Sequence, residues 1–290
     1  MRHSKLFDRK NLHMEKFQLE LLFKIIGLGS ASGLIFNTNS VIAIGDNASY
    51  LYEYQMETKD LKKYPLLENA SETIAKKDKP DFECMTQYGN DIYIFGSGST
   101  ENRMKMVHVD AVTKNKIDEV DLTNLYLTMQ SFAAIKSENF NIEGVIYDGT
   151  DWYFFNRGNG KESKNAIFTV SGKNLTEEFT VIYNPYKLPK IKGVETSFTD
   201  AVLVNNQIYF LATAEDTVST YDDGEVLGSI IGKIDLKSMK VKSTKKISDS
   251  AKLEGLTVYN QSDKEITFLI CEDNDTDEQE SNIYKFSLKK

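Results

Sequence analysis

Five segments of the chain place an oxygen-bearing side chain directly before a small residue, at the start of an apolar run. The segments read ASGLIFNTN, DFECMTQYGN, NIEGVIYDG, FTDAVLVNN and KLEGLTVYN, and the oxygen-bearing residues are Ser32, Glu83, Glu143, Asp200 and Glu254. If the fold brings these segments together, four carboxylates and one hydroxyl meet at one place. Such a set of oxygens is the kind of ligand shell that a hard cation such as calcium accepts.

The segments recur at a nearly constant interval, which indicates a repeated structural unit. The small residues are Gly33, Cys84, Gly144, Ala201 and Gly255, with spacings of 51, 60, 57 and 54 residues. Each is followed by a short apolar strand, a turn rich in Asn, Asp and Gly, a more apolar second strand, a polar loop and a third strand. A fourth, more charged strand completes most units. Asn, Asp and Gly tolerate the positive φ angles of tight hairpins, so the pattern predicts antiparallel four-stranded units.

The two ends of the chain complete this pattern. The fifth unit ends at Lys290 one strand short, and the chain begins one strand early with KFQLELLFKI from Lys16. The sequence therefore predicts an all-β fold, a five-bladed β-propeller with four-stranded blades whose N-terminal strand closes the last blade. A pair of β-sandwiches is the competing fold, but it would not require even spacing. We expect one propeller domain over residues 14–290 after a disordered head, residues 1–13, and a helix over 123–135 between two blades.

In a propeller the first strand of each blade lines the central channel, so the five oxygen-bearing residues should surround its mouth. Carboxylates this close repel one another, and protonation, water or a bound cation would relieve the repulsion. Calcium tolerates the irregular geometry of such a ring, whereas magnesium demands a tighter octahedron, and no His lies in the ring to favour zinc or copper. The alternative is that the ring side chains only hydrogen-bond the backbone of the next blade.

The loops that follow the second strands carry basic residues, which we expect on the same face. Arg103, Arg157 and Lys161 could hold a phosphate or carboxylate group of a small anionic ligand. Alternatively they pair with Glu101 and Glu162 in solvent. A histidine-based reaction is disfavoured because His3 and His13 belong to the head and His108 lies in a predicted third strand, so any hydrolysis would use metal-activated water.

Composition excludes several classes of protein. The chain has 290 residues and a net charge of −8, which is unfavourable for binding nucleic acid. It contains no run of about 18 apolar residues, so we expect no membrane span, and no convincing signal peptide, so we expect a cytoplasmic protein. The two cysteines, Cys84 and Cys271, are predicted to be unpaired apolar fillers of different blades. We expect a monomer.

The ring pattern resembles the calcium-activated nucleotidases, or apyrases, which are five-bladed propellers with a central calcium held by Ser and Glu oxygens. The segments SGLIFNTNSVIAIGDNASYLYEY and KLEGLTVYN are similar to the first and last blade motifs of that family. The E-G-L motif is also similar to that of phytase-like and esterase-like propellers and calcium-dependent lactonases, and the whole chain resembles a family of bacterial propellers of unknown function. The resemblance implies a propeller with a central metal, calcium or magnesium.

Two functions are consistent with this reading of the sequence. The first is a propeller that binds a ligand or partner on one face, with a divalent cation plugging the carboxylate-lined channel. The second is a metal-dependent hydrolase of a phosphorylated or otherwise anionic small molecule. In that case Glu83, Glu143, Asp200 and Glu254 would hold the metal, and Arg103 and Arg157 would hold the anion. Propellers host many chemistries, so the fold does not choose between the two.

Overall fold

The computed structural model describes residues 19–159, 162, 164–217, 224–274 and 278–290. Within them it contains five four-stranded antiparallel sheets, which confirms the predicted five-bladed β-propeller. Blade one consists of β2 (Ala31–Asn37), β3 (Ser40–Gly45), β4 (Tyr50–Gln55) and β5 (Leu61–Pro65). Blade two consists of β6 (Phe82–Tyr88), β7 (Asp91–Gly96), β8 (Lys105–Asp110) and β9 (Lys116–Asp121).

Blades three and four follow the same up-and-down order. Blade three consists of β10 (Ile142–Tyr147), β11 (Asp151–Asn156), β12 (Asn165–Gly172) and β13 (Phe179–Tyr186). Blade four consists of β16 (Ser197–Val204), β17 (Gln207–Asp216), β18 (Glu225–Asp235) and β19 (Lys240–Ser248). Between them lies a small two-stranded ribbon of β14 (Lys190–Ile191) and β15 (Val194–Glu195).

Blade five is built from both ends of the chain. It contains β20 (Lys252–Gln261), β21 (Glu265–Asp273) and β22 (Glu280–Lys289), and its outer strand is β1 (Glu20–Ile26), which runs antiparallel to β22. This pairing confirms the predicted closure by the N-terminal strand. It also means that contacts between the first and last strands hold the ring closed.

The predicted helix is present as α1 (Thr123–Ala133), between blades two and three. It begins just after Asp121, whose Oδ1 accepts a hydrogen bond from the backbone N–H of Thr123 at 2.8 Å and so satisfies one of the free donors of the first turn. It ends at Ala134, which adopts the left-handed conformation with φ 49°. Among the described residues, one short 3₁₀ turn, Glu101–Arg103, lies between β7 and β8, and another, Ser137–Asn139, follows α1. No helix in the described part of the chain is long and apolar enough to cross a bilayer.

The buried apolar side chains of the described residues form five clusters, one between each pair of neighbouring blades. This arrangement explains why the second strands are apolar on both faces, because each sheet packs against a neighbour on either side. The inner strands β2, β6, β10, β16 and β20 contact one another around the ring. Cys84 and Cys271 lie in different clusters, fully buried and unpaired.

Candidate functional site: a buried acidic centre

A β-bulge interrupts every inner strand near its start. In blades one to four the pairing with the second strand skips one residue, and in blade five it passes from Leu253 to Leu256. The skipped residues are Ser32, Glu83, Glu143, Thr199 and the pair Glu254–Gly255. A bulge inserts an unpaired residue and redirects its side chain, so these residues leave the regular pairing with the second strand.

The register in blade four differs from the alignment expected from sequence. Thr199, not Asp200, is the bulged residue, and Asp200 occupies the position held by Gly33, Cys84 and Gly144 in the first three blades. The sequence pattern predicts Ala201 as the small residue of this blade. The ring of bulged positions therefore holds three carboxylates rather than four, with a hydroxyl in blades one and four.

Three of these inner-strand side chains bind the backbone of the next blade. The hydroxyl of Ser32 donates to the carbonyl of Phe82 at 2.6 Å. The hydroxyl of Thr199 donates to the carbonyl of Leu253 at 2.6 Å, and Oδ2 of Asp200 accepts from the N–H of Leu256 at 2.7 Å. These bonds match the expected alternative role of the ring, in which a side chain satisfies the free edge of a neighbouring inner strand.

The three ring glutamates belong to a larger group of charged side chains, which we call the acidic centre. Its carboxylates are Asp46, Asp81, Glu83, Glu143, Glu215, Glu254 and Asp273. Its cationic side chains are Lys79, Arg103, Arg157 and Lys252. All of these residues except Asp46 are buried, and the Asp46 side chain retains 23% exposure.

One half of the acidic centre surrounds Lys79. Carboxylate oxygens of Asp46, Asp81 and Glu83 all lie within 4.8 Å of one another. The ammonium of Lys79 donates to Asp46 and lies 2.8 Å from Oδ1 of Asp81. Arg103 approaches from the other side, with Nη1 2.7 Å from Oδ2 of Asp81. Three converging carboxylates of this kind form the site in the described residues that best suits a metal ion.

The other half surrounds Arg157, which follows the second strand of blade three. Its Nη1 lies 3.1 Å from Oε1 of Glu143 and 3.9 Å from Oε1 of Glu254, and its Nη2 donates to Oε2 of Glu215 at 2.5 Å. The ammonium of Lys252 lies 3.3 Å from Glu254. Arg157 thus joins carboxylates of blades three, four and five.

Burial and mutual repulsion raise the pKa values of the glutamates. The pKa of Glu83 is well above its usual range, chiefly because of burial and then because of Asp81 and Glu143. Burial also raises the pKa of Glu143, although Arg157 partly offsets the effect. The pKa of Glu254 is raised well above its usual value by burial against the opposing effect of Lys252.

The carboxylates in turn raise the pKa values of two cationic side chains, Lys79 and Arg157. Burial alone would lower the pKa of Lys79, but Asp81, Asp46 and Glu83 outweigh burial and raise it. The pKa of Arg157 is likewise raised, because its three carboxylate partners outweigh the cost of burial. Lys79 and Arg157 therefore stay charged at neutral pH, while burial and neighbouring carboxylates favour binding of a proton or a further cation by Glu83.

Several buried polar atoms here have no hydrogen-bond partner in the described part of the protein. They are Oδ1 of Asp46, Oδ1 of Asp200, and the Nε atoms of Arg103 and Arg157. Buried polar atoms in folded proteins are almost always satisfied, if not by protein then by water or an ion. Oδ1 of Asp46 belongs to the cluster of Asp46, Asp81 and Glu83. This oxygen is therefore available to coordinate a cation.

The structure thus brings Glu83, Glu143 and Glu254 together, and it turns Ser32 and Asp200 toward backbone groups of the next blade. Arg103 and Arg157, expected to hold an anionic ligand, are both about 5% exposed and bound to carboxylates. Lys161, the third expected anion ligand, lies outside the described residues.

Sequence reasoning missed Lys79, Asp81, Lys252 and Thr199, although the sequence does carry a signal for two of them. The residue two positions before each bulge is polar in every blade: Ser30, Asp81, Asn141, Ser197 and Lys252. In blade three this residue, Asn141, donates from Nδ2 to Oε1 of Glu143 at 2.5 Å. In blades two, three and five the polar residue at that offset therefore lies beside the ring glutamate.

Comparison with known proteins supports the fold and gives no function. A sequence model described as a family of unknown function (DUF6929) matches residues 27–288. No curated protein sequence matches the chain.

Solved structures share the architecture at low sequence identity. Glutaminyl cyclase from Myxococcus xanthus is 10% identical with a TM-score of 0.50, over 93% of this chain and 97% of the other. The PQQ-bound aldose sugar dehydrogenase from Streptomyces coelicolor is 9% identical with a TM-score of 0.55, over 94% and 99%. At such identities the likeness concerns the fold alone.

Proposed function

The chain belongs to the family of unknown function DUF6929, and we propose a function for it from its own residues. We propose that it is a β-propeller binding module whose acidic centre holds a hard divalent cation, calcium. The observation that carries the proposal is the convergence of Asp46, Asp81 and Glu83 within 4.8 Å at the start of the channel. All three offer carboxylate oxygens, the ligands that calcium prefers, and calcium accommodates the irregular arrangement of groups drawn from two blades.

The charge balance of the centre supports the same proposal. Among the described residues, seven carboxylates share four cationic side chains. Buried charge without compensation is costly, and the raised pKa values of Glu83 and Glu254 express that cost. A divalent cation would supply the missing positive charge without requiring the glutamates to be protonated.

Lys79 acts in this proposal as the internal substitute for the ion. Its ammonium lies between Asp46 and Asp81, where it neutralises part of the cluster. A flexible lysine can withdraw its charge more easily than an arginine, which holds two oxygens in a rigid geometry. Ion binding therefore requires Lys79 to leave the cluster, and removing its charge should strengthen ion binding.

The remaining ring residues support the ion without all of them binding it. Glu83 is the ring residue that belongs to the three-carboxylate cluster, and Glu143 and Glu254 add negative charge from the neighbouring side. Ser32 and Asp200, also expected as ligands, use an oxygen each to join neighbouring blades. Magnesium is the competing ion, because it also binds carboxylates, but it demands a closer octahedral shell.

Binding rather than hydrolysis is the function that the geometry favours. A hydrolase of anionic substrates needs cationic groups free to meet the substrate, and both Arg103 and Arg157 are instead buried against carboxylates. The expected nucleotidase-like activity therefore gains no support from the described residues. The ion would have a structural role, because it would bind carboxylates of neighbouring blades and so hold the inner strands of the ring together.

The proposal is tested by measuring thermal unfolding and calcium affinity in parallel. The wild type should be stabilised by millimolar calcium and should bind one ion by calorimetry. Asp81→Asn and Glu83→Gln should lose that binding, whereas Lys79→Met should tighten it. Asp263→Asn, an exposed carboxylate in a hairpin turn, is the matched control and should behave as wild type. An unfolding temperature that calcium leaves unchanged, together with no heat of binding, would contradict the proposal.

A further inference from the structure

A cavity of about 990 Å³ lies between blades two and three, away from the acidic centre. One wall is the outer strand of blade two, β9, over residues 118–121. The facing wall is the turn between β12 and β13, residues 172–176, and the start of α1 contributes Thr123, Asn124 and Leu127. We call this cavity the interblade groove. It is large enough for several residues of an extended peptide.

Aromatic side chains form the floor of the groove. Trp152 stacks on Tyr147 with ring centroids 4.1 Å apart, and Tyr93 meets Trp152 edge to face at 5.0 Å. All three line the cavity while only partly buried. Their faces offer the negative electrostatic potential that attracts lysine and arginine side chains.

Carboxylates on the β9 wall give the groove a negative charge, which also attracts lysine and arginine side chains. Asp118 and Asp121 are exposed, and neither forms an ion pair within the described residues. Glu119 is already held by Lys105 at 3.0 Å and by Lys116 at 3.3 Å. The exposed Lys173 on the facing wall lies 3.9 Å from Glu178, so its charge is partly balanced. Asp118 and Asp121 thus remain for an incoming cation.

The β9 wall also offers backbone hydrogen bonds. β9 is the outermost strand of blade two, and within the described part of the protein it pairs with β8 alone. An unpaired strand edge is a template for a further strand, and many proteins bind extended peptides in this way. Four consecutive residues of this edge line the groove, so a bound strand would lie along the cavity.

We propose that the interblade groove binds an extended segment of a partner protein that carries lysine or arginine side chains and adds a strand to the edge of β9. The backbone of the segment pairs with β9, and its cationic side chains meet Asp118, Asp121 and the aromatic floor. This site is independent of the ion proposed for the acidic centre.

The single tryptophan of the chain makes the test direct, because Trp152 itself lines the groove. The peptide Ac-Lys-Val-Lys-Val-Lys-NH2 is titrated in buffer containing EDTA while tryptophan fluorescence is recorded. We expect a saturable change that weakens as salt is added. The same peptide with glutamate in place of lysine should produce no change. If the lysine peptide changes neither the fluorescence nor the heat in a calorimeter, the proposal is wrong.

Two further comparisons separate this site from general attraction to an acidic protein. Asp118→Asn/Asp121→Asn should weaken binding about threefold to tenfold, since two exposed charge pairs are lost. Asp60→Asn/Asp263→Asn makes the same charge change outside the groove and should leave the affinity unchanged. Equal weakening by both pairs would overturn the site.

Strand addition is tested with the same lysine peptide N-methylated at alternate residues, which should bind much more weakly because those amides can no longer donate. Equal binding of the methylated peptide, or of lysine amide alone, would overturn the strand-addition part of the proposal.

Discussion

Nη2 of Arg157 donates to Oε2 of Glu215 at 2.5 Å across the boundary between blades three and four, and both side chains are almost fully buried. The same guanidinium also faces Glu143 and Glu254. One cation therefore compensates carboxylates of three blades, and the stability of the ring depends on it more than on any exposed ion pair.

Replacing Arg157 with glutamine should destabilise the fold strongly. The change leaves Glu143, Glu215 and Glu254 without their shared partner, and removing one member of a buried pair costs about 3–5 kcal/mol. Urea unfolding at pH 7.5 measures the effect. Lys285→Gln is the control, because it breaks the exposed pair with Glu20 and should cost at most about 1 kcal/mol. Similar losses in the two variants would show that Arg157 is not the central cation.

Stability without added metal should fall as the pH rises from 5 to 8. The pKa values of Glu83, Glu254 and Asp200 are raised in the folded state, so the folded protein holds protons that the unfolded chain has already released above about pH 5. Under those conditions the unfolded state binds fewer protons, and the free energy of unfolding decreases with pH. Asp110 and Asp121, whose pKa values are lowered, affect stability only at more acidic pH.

The stabilisation of the fold by calcium should increase as the pH rises, whereas the stability without metal decreases. The ion competes with protons for the same carboxylates, so its stabilisation should be small at pH 5 and large at pH 8. Thermal unfolding with EDTA and with calcium at several pH values measures both trends. Stability that rises with pH in EDTA, or calcium stabilisation that is greatest at pH 5, would contradict the assignment of a strained acidic centre.

Much of the fold could be predicted from sequence because it rests on local patterns that recur. The alternation of the strands, the Asn- and Gly-rich turns and the even spacing all indicate the same four-stranded unit. The missing strand at Lys290 and the extra strand at the start locate the closure, which β1 and β22 confirm. Each of these signals is a property of neighbouring residues, and no knowledge of distant contacts is required.

The candidate site was less predictable because its geometry depends on bulges and on long-range partners. A bulge adds one unpaired residue, and the spacing of small residues does not reveal on which side of Thr199 and Asp200 it falls. Lys79 comes from the connection between blades one and two, which carries no repeat signal. The pairing of Arg157 with Glu215 joins residues 58 positions apart, beyond any local pattern.

The hydrogen bond from Thr199 to the carbonyl of Leu253 should stabilise the contact between blades four and five. Thr199→Val keeps the shape of the side chain but removes one donor from the buried carbonyl of Leu253, which Thr213 also reaches at 3.5 Å, so the change should cost about 0.5–1.5 kcal/mol. Thr113→Val is the matched control at an exposed turn and should have a smaller effect. Chemical denaturation measures both, and a Thr199 variant as stable as wild type would show that the bond does not hold the blades.

Two truncations of the N-terminus should differ in their effect on stability, because only the longer one removes the strand that closes the ring. A chain that starts at Met14 should unfold at the wild-type temperature, because the sequence pattern predicts the propeller domain over residues 14–290. Residues 1–13 lie outside the described residues. A chain that starts at Gly27 lacks β1, exposes the edge of β22 and should be markedly less stable. Circular dichroism melting of both chains checks this. Loss of stability on removing residues 1–13 would contradict the predicted domain boundary.

A cation at the acidic centre would be visible in a crystal structure determined from crystals soaked in calcium. We expect an anomalous difference peak bound by Asp46, Asp81 and Glu83 at roughly 2.3–2.6 Å, with Lys79 turned away. A map without such a peak, in which Lys79 still lies between Asp46 and Asp81, would contradict it.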